Sequence, residues 1–418
     1  MTHLPKLHSQ PWSLTRSTEL LQRAVDLVPG TTHSLMKRPE QFCPGRFPVF
    51  LARGRGALVE DVDGNEYVDF ICGLGATSLG HGHPELRAAV AEAVESGVLH
   101  SLPTELEVRA GEALVELVPG AEMVRFFKTG ADATSASVRL ARARTGRSRI
   151  VTIGYNGWHD HFMFDTPGVP EPLGALTTRL PLFQPSDEPR ILETVREGAD
   201  EIALVLLSLP YNRRVDRAFL AELRALCTET GVCLAFDEIV TGFRLALGGA
   251  QQHFGIEPDF SCFSKALAAG MPLSAVVGPR RTMAAMAPLQ VSTTFGGETL
   301  SLAVCERALA IYRSTDYVDR IHQLGRLFRE GVESVARDHG SALSVVGYDP
   351  LPMLLFHPDR EKNAGPGEAF QGEMAARGVL LRRDLNFISG AHTRPQIEHA
   401  IEAASDSLRA MKAAGTFA

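Results

Sequence analysis

The sequence predicts an α/β protein, with a large domain built on a mostly parallel sheet and a smaller α+β domain. Three observations lead there. Apolar runs rich in β-branched or aromatic residues recur at Met123–Phe127, Ile150–Ile153, Ile202–Leu207, Val232–Phe236 and Ser274–Val277. Helix-length segments separate many of them, and buried runs alternating with helices are the pattern of strands covered on both faces. Beyond about residue 310 the pattern changes to helical segments around one strand-like run, Met353–Phe356.

In chain order, residues 1 to about 20 read as a polar arm, and a helix is expected over Ser17–Leu27, stopping at Pro29-Gly30. Ala57-Leu58-Val59 and Tyr67-Val68-Asp69-Phe70 flank the turn Asp63-Gly64-Asn65, which predicts a hairpin. The alternating segment follows, from about residue 75 to 310. At the end, Thr393 and Gln396 stand at capping-box spacing with Pro395 in the first turn, and Ile397, Ala400, Ile401, Ala404, Leu408 and Met411 trace one apolar face. The expected division is an arm and part of the small domain over residues 1–70, a large domain over 71–310, and the rest of the small domain over 311–418.

Composition narrows the function. The 418 residues are 44% hydrophobic and 22% charged, with a formal charge of −7 and no Lys/Arg-rich block, so nucleic-acid or membrane-surface binding has no support. The six cysteines are scattered without CxxC pairs, which argues against a zinc site or disulfide framework and fits a reducing cytoplasm. No apolar signal core follows Met1, and no run reaches the ~18 apolar residues of a membrane span. His81, His83, His159 and His161 lack a matching acidic or Cys set nearby, so structural roles are expected and no metal.

Three segments carry chemistry. Lys265 stands between an apolar strand end and small residues, in Phe263-Ser264-Lys265-Ala266-Leu267. It reads either as a snorkelling surface lysine or as a desolvated amine able to form a Schiff base. Asp237 follows the buried run Val232–Phe236, where ligands of parallel sheets bind. An acid there can hold a pyridine nitrogen protonated, although a helix cap or an ion-pair partner is the alternative. Lys128-Thr129-Gly130-Ala131-Asp132 follows a strand and opens a helix with small residues, a plausible phosphate cradle.

With these in place, Phe236-Asp237-Glu238-Ile239-Val240-Thr241-Gly242-Phe243-Arg244 resembles the aspartate motif of class III (omega-type) aminotransferases, and the spacing to Lys265 matches that family. Glu60-Asp61-Val62-Asp63-Gly64, Leu79-Gly80-His81-Gly82-His83-Pro84, Gly154-Tyr155-Asn156-Gly157-Trp158-His159 and Thr294-Phe295-Gly296-Gly297-Glu298-Thr299 agree with it. The similarity runs from about Arg23 to Met411, and glutamate-1-semialdehyde aminomutase-like members are the nearest subgroup. The resemblance implies a pyridoxal 5′-phosphate (PLP) dependent transferase of fold type I, with a mostly parallel seven-stranded sheet, working as a cytoplasmic homodimer with shared active sites. It implies Lys265 as the Schiff-base lysine and proton shuttle, and Asp237 as partner of the pyridine nitrogen. Tyr155 would stack on one ring face and Ile239 pack on the other. Thr129, Gly130 and Ala131 would bind the phosphate, joined by Thr294 from the neighbouring subunit.

The departures concern substrate. Lys37 replaces the arginine of the relatives' Ser-x-x-Arg, and lysine lacks the planar bidentate fork. Leu74 stands where an aromatic residue commonly lines the site, and Asn156 replaces the His after the stacking tyrosine. The family's Glu-Pro after Ile202–Leu207 gives way to Ser208-Leu209-Pro210-Tyr211. Lys37, Leu74 and Asn156 are therefore the expected substrate-binding positions. The expected activity is transamination between an amine donor and a carbonyl acceptor. One candidate substrate class is the amino or keto sugars of aminoglycoside-type antibiotic biosynthesis. The alternatives are a PLP-dependent isomerase (an aminomutase or epimerase, with Cys72, Cys262 or His159 as a second acid–base group) and a non-catalytic PLP-binding protein.

Overall fold

A computed structural model describes residues 13–416. They form two compact units: the segment ending at His83 together with the one beginning at Asp319, and Pro84–Val318. Both junctions fall later in the chain than 70/71 and 310/311. The first does so because Gly56 and His81 exchange backbone hydrogen bonds of 2.8 Å, which ties residues 71–83 to the N-terminal segment.

In the unit that contains both chain ends, the first helix is Thr15–Leu27. Its start is capped from a distance, since the Arg16 and Ser17 N–H groups donate to the Asp63 carboxylate at 2.7 and 2.9 Å. A negative group at a helix start is favoured both by its orphan donors and by its dipole. Strands β1 (Leu51–Arg55), β2 (Leu58–Asp61) and β3 (Glu66–Asp69) are antiparallel neighbours, with the expected hairpin between β2 and β3. Buried Asp61 locks its turn by accepting from the Asp63 and Asn65 N–H groups and from the Tyr67 hydroxyl. Cys72–Gly75 then run through a left-handed turn with φ of 49, 59, 60 and 84°. Non-glycine residues pay about 1–2 kcal/mol each for that conformation. Asp69 supports the entry, since its Oδ1 accepts from the Ile71 and Cys72 N–H groups.

The Pro84–Val318 unit is organised by β4 (Met123–Phe127), β5 (Arg149–Ile153), β6 (Thr177–Leu180), β7 (Ile202–Leu207), β8 (Cys233–Asp237), β9 (Phe260–Phe263) and β10 (Ser274–Gly278). They form one seven-stranded sheet in the order β4-β10-β9-β8-β7-β5-β6. Only β10 is antiparallel to its neighbours. The expected mostly parallel seven-stranded sheet is thus observed. β7, β8 and β9 are buried along their whole length, as their apolar runs require. Helices, among them Gly130–Thr145 and Arg217–Thr230, connect the strands.

Two strands of this sheet were not among the expected runs. β6 is a four-residue edge strand, Thr-Thr-Arg-Leu, buried only at its two end residues, with no apolar run to mark it. β9 is short and interrupted by Ser261, whose hydroxyl is satisfied by the Gln251 side chain at 2.5 Å.

The turn leaving β8 is shaped by a buried clamp. Glu238 is fully buried, and its carboxylate accepts from the Ala250 and Gln251 N–H groups at 2.9 Å each and from the Thr241 hydroxyl. Gly249, at φ 79°, gives the carboxylate room, since a Cβ there would lie 2.5 Å from it.

At the C-terminal end, β11 (Ser344–Tyr348) and β12 (Leu351–Leu355) pair as a hairpin, the latter over the expected run. β13 (Val379–Leu380) joins β3 in parallel, completing a four-stranded sheet β1-β2-β3-β13. The last helix, Arg394–Ala413, buries Ile397, Ala400, Ala404, Leu408 and Met411, with Ile401 half-buried. Thr393 and Gln396 form the expected capping box, with Gln396 accepting the Thr393 N–H at 3.0 Å.

Gly325, inside the Tyr317–His339 helix, faces the Asp349 backbone, and a Cβ there would overlap the Asp349 carbonyl. Helix propensity alone favours Ala over Gly by roughly 1 kcal/mol. The steric term should reverse that sign, so Gly325→Ala is expected to lower the urea midpoint. For Glu238, burial is the main cause that raises the acid from 4.5 to about 7, against its three donors. A raised acid favours the folded state below its ordinary value, and that contribution is lost as pH climbs through about 7. The urea midpoint of the protein without cofactor should therefore fall less between pH 5 and 8 in Glu238→Gln than in the parent.

Candidate active site

The C-terminal ends of β4, β5, β7, β8 and β9, with the start of β10, form one rim of the large sheet. Asp237 ends β8 there, 5% exposed. One carboxylate oxygen accepts from the Asn156 amide Nδ2 at 2.9 Å, and the other from the Ile239 N–H at 3.1 Å. Burial pushes the acid up to about 6, while the two donors and the Lys265 ammonium pull it back towards the anion.

Lys265 lies in the connection between β9 and β10 and is half-buried. Its backbone is left-handed, at φ 49°. Neighbouring side chains hold this conformation. The Ser264 hydroxyl donates to Leu273 O at 2.8 Å, and the buried Tyr312 hydroxyl to Ala266 O at 2.8 Å. The Lys265 charge acts on the buried acid Asp237.

Thr129 caps the Gly130–Thr145 helix. Its hydroxyl accepts the Asp132 N–H at 3.2 Å, and Asp132 in turn accepts the Thr129 N–H at 2.7 Å. The Gly130 and Ala131 N–H groups, in the first turn, have no intrahelical acceptor. Two close approaches explain the small residues. A Cβ on Gly130 would lie 2.6 Å from the Ile239 side chain, and one on Gly157 3.0 Å from Ala131. Ile239 and the Asn156-Gly157 segment are thereby gathered at the start of this helix. The Ser274 hydroxyl fixes the same turn through Thr129 O at 2.5 Å.

Tyr155 leaves β5 with 66% of its surface exposed, and burial together with the Asp237 charge raises its phenol. Thr294 lies on an exposed stretch ahead of the Thr299–Ser314 helix. That stretch ends at Glu298, which caps the helix through the Ser301 N–H and pairs with Lys128 at 2.6 Å. Lys128 and the other donors outweigh burial and hold the Glu298 carboxyl low. Lys37 and Leu74 belong to the other unit. Lys37 is exposed at the end of a short turn, Leu35–Lys37, and Leu74 sits half-buried in the left-handed turn.

The structure adds residues to which the sequence gave no role. Glu238 was visible in the motif, but its clamp on the residues near Gly249 depends on tertiary packing. Tyr211 pairs with Ser208 at 3.2 Å, and burial, then the charges of Asp237 and Glu238, raise its phenol. Among the rival acid–base groups, Cys262 is fully buried, with its thiol pushed up by burial first and by Asp237 second. His159 is hydrogen bonded to Ser135 at 2.5 Å, and His161 is pushed down to about 4 by burial, Arg142 and His159. Among the described residues no group of three or more His, Cys, Asp or Glu is arranged to hold a metal, and no helix is long and apolar enough to cross a membrane.

Comparison with known proteins fits this arrangement. The family model for class-III aminotransferases matches residues 43–167 and 213–383; the unmatched stretch between them contains the Ser208–Tyr211 departure. Glutamate-1-semialdehyde 2,1-aminomutase of Methanothermobacter thermautotrophicus is 34% identical over 95% of this chain and 100% of its own length. 3-Aminobutyryl-CoA aminotransferase of Cloacimonas acidaminovorans is 32% identical over 96% of this chain and 98% of its own. The FumI protein of a Sphingopyxis species, solved in its PLP internal aldimine form, superposes with a TM-score of 0.89 at 28% identity, covering 96% of this chain and 97% of that one. The chain belongs to the class-III aminotransferases, a family whose cofactor is pyridoxal 5′-phosphate.

Proposed function

We propose that this chain is an aminotransferase that moves an amino group from an amine donor to a carbonyl acceptor. The observation that carries the reading is the buried carboxylate of Asp237 at the rim of the sheet, held by the Asn156 amide and the Ile239 N–H, with the Lys265 charge nearby. The residues present fit PLP. An acid that is an anion at neutral pH can hold a pyridine N–H. The first-turn N–H groups of the Gly130–Thr145 helix suit a phosphate, and glycine at 130 lets Ile239 pack close against the helix start. When bound, PLP supplies an aldehyde that captures amines and a ring that withdraws electrons.

This chain's own residues then have distinct tasks. Lys265 would hold the aldehyde and, as a neutral amine, could carry a proton at its Nζ. Asp237 would accept a hydrogen bond from the ring nitrogen and favour its protonated form. Gly130 and Ala131 offer backbone donors to the phosphate, with Thr129 setting their geometry. Tyr155 and Ile239 would bound the two ring faces. Thr294 of a second copy would complete the phosphate site of a cytoplasmic homodimer.

The substrate reading rests on Lys37 and Leu74, which stand where relatives carry an arginine and an aromatic residue. A ligand without a small α-amino acid's carboxylate suits a lysine better than a bidentate fork would. Amino or keto sugars of the aminoglycoside type are the class we favour. A second reading, isomerisation, is supported by the aminomutase relative at 34% identity. Against an epimerase, Cys262 is held by burial as a neutral thiol.

The test is a panel of amines, amino sugars included, given to the PLP-loaded enzyme with and without carbonyl acceptors. A transaminase should turn over only with both a donor and an acceptor. An isomerase would exchange the substrate's carbon-bound hydrogen with solvent without a donor. Lys265→Ala should lower turnover by at least ~10²–10⁴-fold. Full activity in that variant would overturn the mechanism, and absence of turnover with every amine would favour a non-catalytic PLP-binding protein.

A further inference from the structure

Asn156 was expected to touch substrate, yet its side chain is committed elsewhere. Its amide Nδ2 donates to Asp237 at 2.9 Å, and both residues are buried. The amide can serve the carboxylate only in this orientation, because the flipped form would set two acceptor oxygens against each other. Its own Oδ1 is buried and accepts no hydrogen bond. No donor therefore competes to turn the group around.

The backbone that presents this amide is also fixed. The Asn156 carbonyl accepts from the buried Thr134 hydroxyl at 2.6 Å. The next residue, Gly157, has φ 119° and packs where a Cβ would lie 3.0 Å from the Ala131 Cβ. An amide held in this way supplies direction. With the Ile239 N–H on the other oxygen, it leaves the Asp237 carboxylate little freedom to rotate.

The groups around Asp237 make a neutral donor valuable. Lys265 in the connection after β9, Cys262 on β9 itself, Tyr155 at the end of β5, Tyr211 in the segment after β7 and Glu238 at the next position in the chain all interact with it electrostatically. Lys265 and Glu238 carry charge, and Glu238 is a like charge when ionised. A histidine at position 156 would titrate near neutral pH, whereas an amide keeps the same donor at every pH.

We propose that Asn156 is a positioning residue, whose amide orients the Asp237 carboxylate for the pyridine nitrogen of the cofactor through a donor that does not itself titrate. This rests on the function proposed above and adds a role that Asn156 plays through Asp237 rather than through substrate.

The test uses full-length protein, the variants Asn156→Ala, Asn156→Asp and Asn156→His, and two readouts other than turnover. These are PLP affinity by fluorescence titration and the pH dependence of the bound cofactor's absorbance. Asn156→Ala should weaken PLP binding roughly 10-fold and move the spectral transition by about one pH unit. Asn156→Asp should bind far more weakly at pH 8 and recover towards pH 5, where a protonated carboxyl can again donate. Asn156→His should fold even if the aspartate variant does not, and should show a new transition near pH 6–7, about the ordinary value of a histidine. A parent-like affinity and pH profile in the histidine and alanine variants would overturn the proposal while leaving the aminotransferase reading intact. A parent that binds no PLP would overturn both.

Discussion

The site depends on keeping one carboxylate charged inside the protein. Moving an ion from water into an interior costs several kcal/mol unless other groups replace its hydration. Asp237 stands at the end of a strand buried along its whole length, so water gives it little help. Its compensation comes from three separate stretches of chain: the amide of Asn156, the backbone of Ile239 and the charge of Lys265. Much of the local architecture at the rim brings these stretches together. The glycines at 130 and 157 permit the close packing, and the Thr129 cap sets the helix start that packs against Ile239.

Asp237 and Glu238 adjoin in sequence, yet their surroundings give them different work. Asp237 accepts from Asn156 and Ile239 and interacts with the charge of Lys265. Glu238 is satisfied by the first N–H groups of the Gly249–Phe254 helix and by Thr241, so it holds the turn in shape. Adjacent acids with opposite environments can divide reactive and structural duties. Glu238 restrains the segment from which Asp237 and Ile239 both emerge.

The sheet was readable because strands covered on both faces tend to be continuously apolar, as β7 is, while β4, β5, β8 and β10 are apolar apart from one or two residues. β6 and β9 were not, since an edge strand tolerates Thr and Arg, and a four-residue strand with an internal Ser satisfied by Gln251 leaves no periodic signal. At the site, Lys265, Asp237 and the Thr129–Ala131 turn could be picked out because their residue types suit one chemistry and lie at strand ends. The 81-residue separation between Asn156 and Asp237 hid their bond, so Asn156 looked like a substrate contact. The left-handed backbone at Cys72, Leu74 and Lys265 was equally invisible, because nothing in those residue types asks for it.

The reversed direction of β10 has a mechanical consequence. A parallel neighbour would have required the chain leaving β9 to cross back over the sheet before pairing again. Because β10 runs the other way, the chain returns at once, and Ala275 pairs with Phe263. Lys265 therefore rides on a bridge clamped by sheet hydrogen bonds at both feet, where a parallel crossover would have needed a longer connection, usually carrying a helix. A tether of this kind lets the long lysine side chain swing while its root stays still.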